Sequence, residues 1–145
     1  MVKELGATEV LGVNTLGMDA INQHIRDLTD GLGADLVFEA SGVPAAVPQG
    51  MGLLRNRGVY LIPGQYSNSG GVEIQPQMIT LNALHIIGSS QYSVSDVCAY
   101  LEFLEVHPEL HSLILQTATC YKVEDINQAF DDAKARKNMK TLLVP

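Results

Sequence analysis

Short continuous apolar runs, each closed by turn residues, constrain this chain more than any other feature. Leu36-Val37-Phe38, Val59-Tyr60-Leu61-Ile62 and Leu84-His85-Ile86-Ile87 end at Glu39, Pro63-Gly64 and Gly88. Runs of this kind suit parallel strands covered on both faces, not strands with one wet face. The segments between them carry apolar residues at helical spacing. Strands alternating with helices of about 10–15 residues specify an α/β layered fold with a parallel sheet.

Read along the chain, Met1 to Gly6 looks like the last turn of a helix closed by a C-cap glycine, and Thr8 to Val13 reads as a short strand. Leu16 to Thr29 is a helix with Ile21, Ile25 and Leu28 on one stripe, stopped by Asp30-Gly31-Leu32-Gly33. Pro44 suits a first helical position, and Val47, Met51 and Leu54 continue that helix's core-facing stripe. Pro48, Gly50 and Gly52 weaken the helix on propensity, each glycine costing roughly 1 kcal/mol against alanine, so packing must hold it. Arg55 to Gly58 form a turn, Ser67 to Gly71 a loop, and Val72-Glu73-Ile74 a short strand. Ser93 with Asp96 is a capping-box start for a helix whose stripe is Val94, Val97, Cys98, Leu101 and Leu104, halted at His107-Pro108. Gln116 to Tyr121 reads as extended. Val123 to Ala135 is a helix with Ile126, Ala129, Phe130 and Ala133 inward, and Thr141 to Val144 is a final strand.

A parallel sheet invites a search for a phosphate-binding glycine turn, and none fits. Gly31-Leu32-Gly33-Ala34-Asp35-Leu36 lacks the third glycine and precedes a strand. The fingerprint needs strand, glycine turn and helix N-terminus, in that order.

Composition narrows the partners. The chain has 145 residues, 46% hydrophobic and 17% charged, which is globular and of ordinary domain size. A net charge of −7 argues against nucleic acid and anionic membranes. The basic residues from Lys122 to Lys140 alternate with Glu124, Asp125, Asp131 and Asp132, a solvated face. No apolar run reaches the ~20 residues needed to span a bilayer. With no leader pattern at the N-terminus, the expected location is cytoplasmic, with Cys98 and Cys120 reduced and buried, not bridged.

The stretch Gly33-Ala34-Asp35-Leu36-Val37-Phe38-Glu39-Ala40-Ser41-Gly42 resembles the pattern G-A-D-V-V-F-E-A-T-G of medium-chain, zinc-type alcohol dehydrogenases. Lys3 to Val10, Leu53-Leu54-Arg55, Gly58-Val59-Tyr60, Pro63-Gly64-Gln65, Leu84 to Ser89 and Ile126 to Phe130 follow that family's order and spacing. The resemblance implies the later part of a Rossmann domain with strand order 3-2-1-4-5-6. On that reading residues 1–145 are a single truncated dinucleotide-binding domain, an incomplete Rossmann-like parallel sheet with flanking helices. It lacks the first two strands, the glycine-rich turn and the catalytic domain. Zinc ligands and catalytic residues of the family map onto no position here.

Cofactor contacts do map. In the family NAD or NADP lies across the carboxyl ends of the strands, which here are Ser41-Gly42, Gly64-Gln65 and Gly88-Ser89-Ser90. Lys140 falls where the family often has a basic residue near the pyrophosphate. Pro63 and Asn56-Arg57 depart from the pattern. Glu39 at a buried strand end is either an acid of raised pKa or a structural carboxylate paired to backbone or arginine. His107-Pro108-Glu109-Leu110-His111 lacks metalloprotease spacing, and His85 reads as a hydrogen-bonded sheet histidine.

The expected function is a part related to NAD(P)-dependent oxidoreductases and inactive alone. The alternative is a stand-alone oligomerising or small-ligand-binding module, and a third reading has a separate catalytic chain completing the enzyme in trans. Without its family neighbour, Leu36-Val37-Phe38 would be a bare apolar edge, so either Thr8–Val13 covers it or another chain does. The expected assembly is a homo-oligomer, a dimer through Val72-Ile74 or through Leu36-Phe38.

Overall fold

A computed structural model describes residues 2–65 and 67–145, so Met1, at the head of the expected helical turn, lies outside the described residues. These residues form two compact units, one ending at Gln91 and the other running Tyr92–Pro145.

The first unit is built on a parallel three-stranded sheet in the order β1-β2-β3, with β1 Ala34–Phe38, β2 Leu54–Ile62 and β3 His85–Gly88. Of its helices, α3 (Ala46–Leu53) packs on β1 and β2, α2 (Met18–Leu28) packs on α3, α1 (Val13–Leu16) adjoins α2, and α4 (Gln77–Leu81) brings Met78 and Ile79 to the core. Leu36, Val37 and Phe38 pair with Val59, Tyr60 and Leu61, which in turn pair with His85, Ile86 and Ile87. The expected Arg55–Gly58 turn sits inside β2 as an irregularity in its register with β1, and Arg57 there takes a positive φ of 60°. The core is Met51, Leu54, Tyr60 and Leu84, with Val37, Val47, Ile62, Met78 and Ile79 packed on it. Burying one such side chain contributes roughly 1.5–3 kcal/mol, enough to hold α3 despite its glycines and proline.

Two expected strands do not form. Residues 8–12 are irregular and run into α1. A strand needs a ladder partner for its N–H and C=O groups, and this segment is tied elsewhere: Glu9 meets His24 Nε2 on α2 at 2.5 Å. Thr8–Val13 therefore does not cover β1. Val72-Glu73-Ile74 is likewise irregular, with no strand beside it among the described residues. Leu54, placed by its spacing on the α3 stripe, instead opens β2.

The second unit contains α5 (Val94–Val106), α6 (Glu109–Gln116), β4 (Ala118–Lys122), a 3₁₀ turn (Val123–Asp125), α7 (Ile126–Lys134) and β5 (Lys140–Val144). The capping box is present: the Asp96 N–H donates to Ser93 Oγ at 3.3 Å, and the Ser93 N–H donates to Asp96 Oδ2 at 2.7 Å. β4 and β5 pair in parallel across the α7 crossover. Tyr121 on β4 donates to Asp132 Oδ2 on α7 at 3.0 Å and accepts from Asn138 Nδ2 at 2.9 Å, which fastens helix to sheet.

The apolar stripe of α5 is exposed, with Val94 at 81% and Leu101 at 54%. Cys98 and Cys120 are free and exposed, against the expectation of burial. On α7 Ala129 is buried but Phe130 is not. A two-stranded sheet is too narrow to cover both, and Phe130 borders an apolar groove of about 200 Å³ with Ala133 and Leu143. Among the described residues no helix is long and apolar enough to cross a membrane.

Candidate functional site

Parallel pairing places the carboxyl ends of β1, β2 and β3 along one edge of the first sheet. The hydrogen-bond ladder continues past β1, for the Glu39 N–H donates to Leu61 O at 2.9 Å and the Gly64 N–H donates to Glu39 O at 2.9 Å. The chain leaving each strand is thus held against its neighbour before it turns.

Glu39 organises that turn. Its side chain is buried at 4% exposure, and Oε1 accepts the Ser41 N–H at 2.7 Å, the Ser41 hydroxyl at 2.6 Å and the Gly42 N–H at 3.0 Å. Oε2 accepts Gln65 Nε2 at 3.2 Å. Burial pushes the carboxyl pKa up, but the bonds from Ser41, Gly42 and Gln65 outweigh it and hold Glu39 below its ordinary value. The structure thus decides between the two readings of this acid: it is an ionised carboxylate satisfied by the surrounding backbone and side chains.

The glycines of the site have distinct causes. Gly42 turns at a φ of +69°, a region that L side chains avoid. A Cβ on Gly64 would lie 2.5 Å from Glu39 Oε2 and 2.9 Å from the Ala40 backbone, so the two strand-end loops meet only over a hydrogen.

Of the residues expected to line a cofactor, Ser41, Gly42, Gly64 and Gln65 converge on Glu39. Gly88, Ser89 and Ser90 stand exposed at the end of β3, with the Ser89 N–H donating to Ile62 O at 3.3 Å. Lys140 opens β5 in the second unit. Sequence reasoning missed Tyr60, which is fully buried and donates to Ala46 O at 2.8 Å. Burial, with the Glu39 charge adding to it, pushes the Tyr60 pKa up to about 12. Glu39, Ser41, Phe38, Val43 and Tyr60 border a cavity of about 550 Å³, whose lining includes no lysine or arginine among the described residues.

A model of the family described as zinc-binding dehydrogenase matches residues 1–106. The chain belongs to that family. Sorbitol dehydrogenase of Halalkalibacterium halodurans is 29% identical to it over 143 residues, 99% of this chain and 40% of that protein. An alcohol dehydrogenase zinc-binding domain protein from Burkholderia ambifaria superposes with a TM-score of 0.79 at 27% identity, covering 99% of this chain and 38% of that one. An alcohol dehydrogenase from Thermotoga maritima shares the fold, with a TM-score of 0.85 at 23% identity over 99% of this chain and 39% of its own. The chain spans about 40% of the length of the first curated relatives it matches. It is similar to the Rossmann-like, cofactor-binding domain of these zinc-binding dehydrogenases.

The family name implies zinc. Among the described residues no three His, Cys, Asp or Glu side chains gather to hold a metal. His107 Nδ1 lies 3.0 Å from Glu109 Oε1, while His111 Nε2 lies 2.9 Å from Leu104 O, so the two imidazoles are engaged separately. His85 is exposed on β3 and has no side-chain partner among the described residues, unlike the bonded histidine expected there. The donor set of a zinc centre is not among these residues. For a nicotinamide dinucleotide the fit is divided. The strand-end cavity can take an uncharged, flat, hydroxyl-bearing portion, but its charged group is a carboxylate, which repels a pyrophosphate.

Proposed function

We propose that this chain is the strand-edge part of a nicotinamide-dinucleotide site in an alcohol- or polyol-oxidising dehydrogenase, and that it transfers no hydride by itself. The observation that carries this reading is the Glu39 carboxylate binding Ser41, Gly42 and Gln65 into one rigid rim at the ends of β1 and β2. The Ser41 and Gly42 N–H groups and the Ser41 hydroxyl proton are taken by Glu39, so the preorganised rim offers the hydroxyls of a ribose acceptor oxygens, the main-chain carbonyls and Ser41 Oγ, without an ordering cost. The relatives named for sorbitol, D-arabinitol, erythritol and D-xylulose support a small polyol as the substrate class. NAD or NADP would supply the hydride chemistry, with phosphate contacts, metal and substrate pocket coming from polypeptide other than the residues described here, in cis or from a separate catalytic chain.

The test is calorimetric titration of the purified chain with NAD and with NADP, alongside a sorbitol oxidation assay. Binding weaker than ~100 μM and no turnover are expected. Turnover by the chain alone would overturn the reading.

A second reading, an oligomerising module, is favoured by the free edge of β1. The Glu39 N–H points to β2, so by alternation the N–H and C=O groups of Leu36 and Phe38 point the other way, and both side chains are 58% exposed. A second copy pairing there, or through Val72–Ile74, would give a homodimer, read directly as mass by light scattering. A monomer at micromolar concentration sinks it.

A further inference from the structure

We propose that a cavity at the opposite end of the sheet, between Arg26 and Arg55, binds a phosphoryl dianion. This cavity lies at the amino ends of β1 and β2, away from Glu39. It measures about 460 Å³ and is lined by Arg26, Gly31, Leu32, Arg55 and Asn56.

Two guanidiniums on one small cavity repel unless something holds them there, and here each is pinned by its own partners. Arg26, in the last turn of α2, donates through Nε to Asn22 Oδ1 at 3.1 Å and through Nη1 to Gly31 O at 3.0 Å. The Gly31 N–H donates in turn to Arg26 O at 2.7 Å, which closes a reciprocal clasp around the end of the helix. Arg55 donates through Nε to Asp35 Oδ1 and through Nη1 to Asn56 O at 2.8 Å. Neither Nη2 is engaged among the described residues, so each arginine keeps N–H donors in hand while its orientation is already set.

The lining itself carries two arginines and no carboxylate, and Asp35 offsets one of the two. Outside the lining, exposed Arg57 stands against exposed Asp27 and Asp30, and Asp27, which accepts Gln23 Nε2 at 2.8 Å, keeps its charge. The positive charge is thus concentrated on the lining, where a bound anion meets it. Two of the four carbonyls ending α2 are satisfied, Ile25 O by the Thr29 hydroxyl at 2.7 Å and Arg26 O by the Gly31 N–H at 2.7 Å, which reduces the negative charge the helix end presents to the cavity. A planar guanidinium fork matches a tetrahedral oxyanion in two parallel bonds, which a lone ammonium cannot do. The volume exceeds that of a bare phosphate and leaves room for a small organic group esterified to it.

The test is NMR titration of the whole chain with inorganic phosphate and with glycerol 3-phosphate, at ionic strength held constant with chloride. Saturable shifts at Arg26, Gly31 and Arg55, with a Kd of ~1 mM or tighter, are expected. Asn56→Asp puts a carboxylate into the lining while keeping both arginines and the main-chain carbonyl that Arg55 holds. It should weaken binding at least ~tenfold with an unchanged urea midpoint. Arg26→Gln should do the same, and its urea midpoint reports any loss of the helix clasp. Glycerol 3-phosphate binding ~tenfold tighter than phosphate assigns the site to an organic phosphate, and equal affinities assign it to free phosphate. No saturable response to either probe below ~10 mM, or equal binding by Asn56→Asp, overturns the proposal.

Discussion

The Ser41 hydroxyl donates to Glu39 Oε1 at 2.6 Å, and the Ser41 and Gly42 N–H groups close on the same oxygen. A single buried carboxylate atom therefore fixes the turn that leaves β1. In Glu39→Gln the charge is lost, and the new N–H₂ meets either the Ser41 and Gly42 donors or the Gln65 amide, which must then turn its oxygen toward it. A loss of about 1–3 kcal/mol is expected, read as a lower urea midpoint.

The same carboxylate sets an acid limit. Its folded pKa lies below the unfolded value of 4.5, so its contribution is present above 4.5 and is lost as pH falls through the folded value. Stability of the wild-type chain should decline in that acid window, and the decline should be shallower in Glu39→Gln. Identical acid profiles for the two proteins would rule out the linkage.

Tyr60 gives an alkaline counterpart. Its pKa is raised from 10.0 to about 12, so its contribution is complete below 10.0 and is lost as pH rises through 12. Ultraviolet titration should show a late tyrosinate step that is missing from Tyr60→Phe. That variant also loses the bond to Ala46 O, for about 0.5–1.5 kcal/mol.

Gly50 on α3 faces the Tyr60 ring so closely that an added Cβ would overlap the hydroxyl and lie 2.6 Å from Cζ. Gly50→Ala should destabilise by about 1–3 kcal/mol despite alanine's better helix propensity, because overpacking outweighs propensity here. A rise in the urea midpoint would show that the helix can shift.

In the second unit, Lys137 Nζ donates to Asp132 Oδ1 at 2.6 Å. Chiefly through this bond, Asp132 is held below its ordinary value and Lys137 above its own. The pair contributes above the unfolded Asp value of 3.8 and below the unfolded Lys value of 10.5, and fades beyond each as the folded values are crossed. Asp132→Asn should flatten both limbs while also weakening the Tyr121 bond, which amide exchange on β4 would report.

The sequence by itself determined the α/β class, the three strands of the first sheet, the α5 capping box and the family, because apolar runs, turn residues and local caps act over a few neighbouring positions. It placed Ser41, Gly42, Gly64 and Gln65 at strand ends for the same reason. Tertiary structure decided what those residues do. The Glu39 carboxylate is tied to Gln65, far along the chain, and the Arg26–Arg55 cavity forms where a helix end meets a strand start. Thr8–Val13 and Val72–Ile74 have strand-like composition yet form no strand, since a strand exists only where another strand takes its hydrogen bonds. Phe130 and the α5 stripe carry helical periodicity correctly, but periodicity marks a face and cannot say whether any layer lies across it.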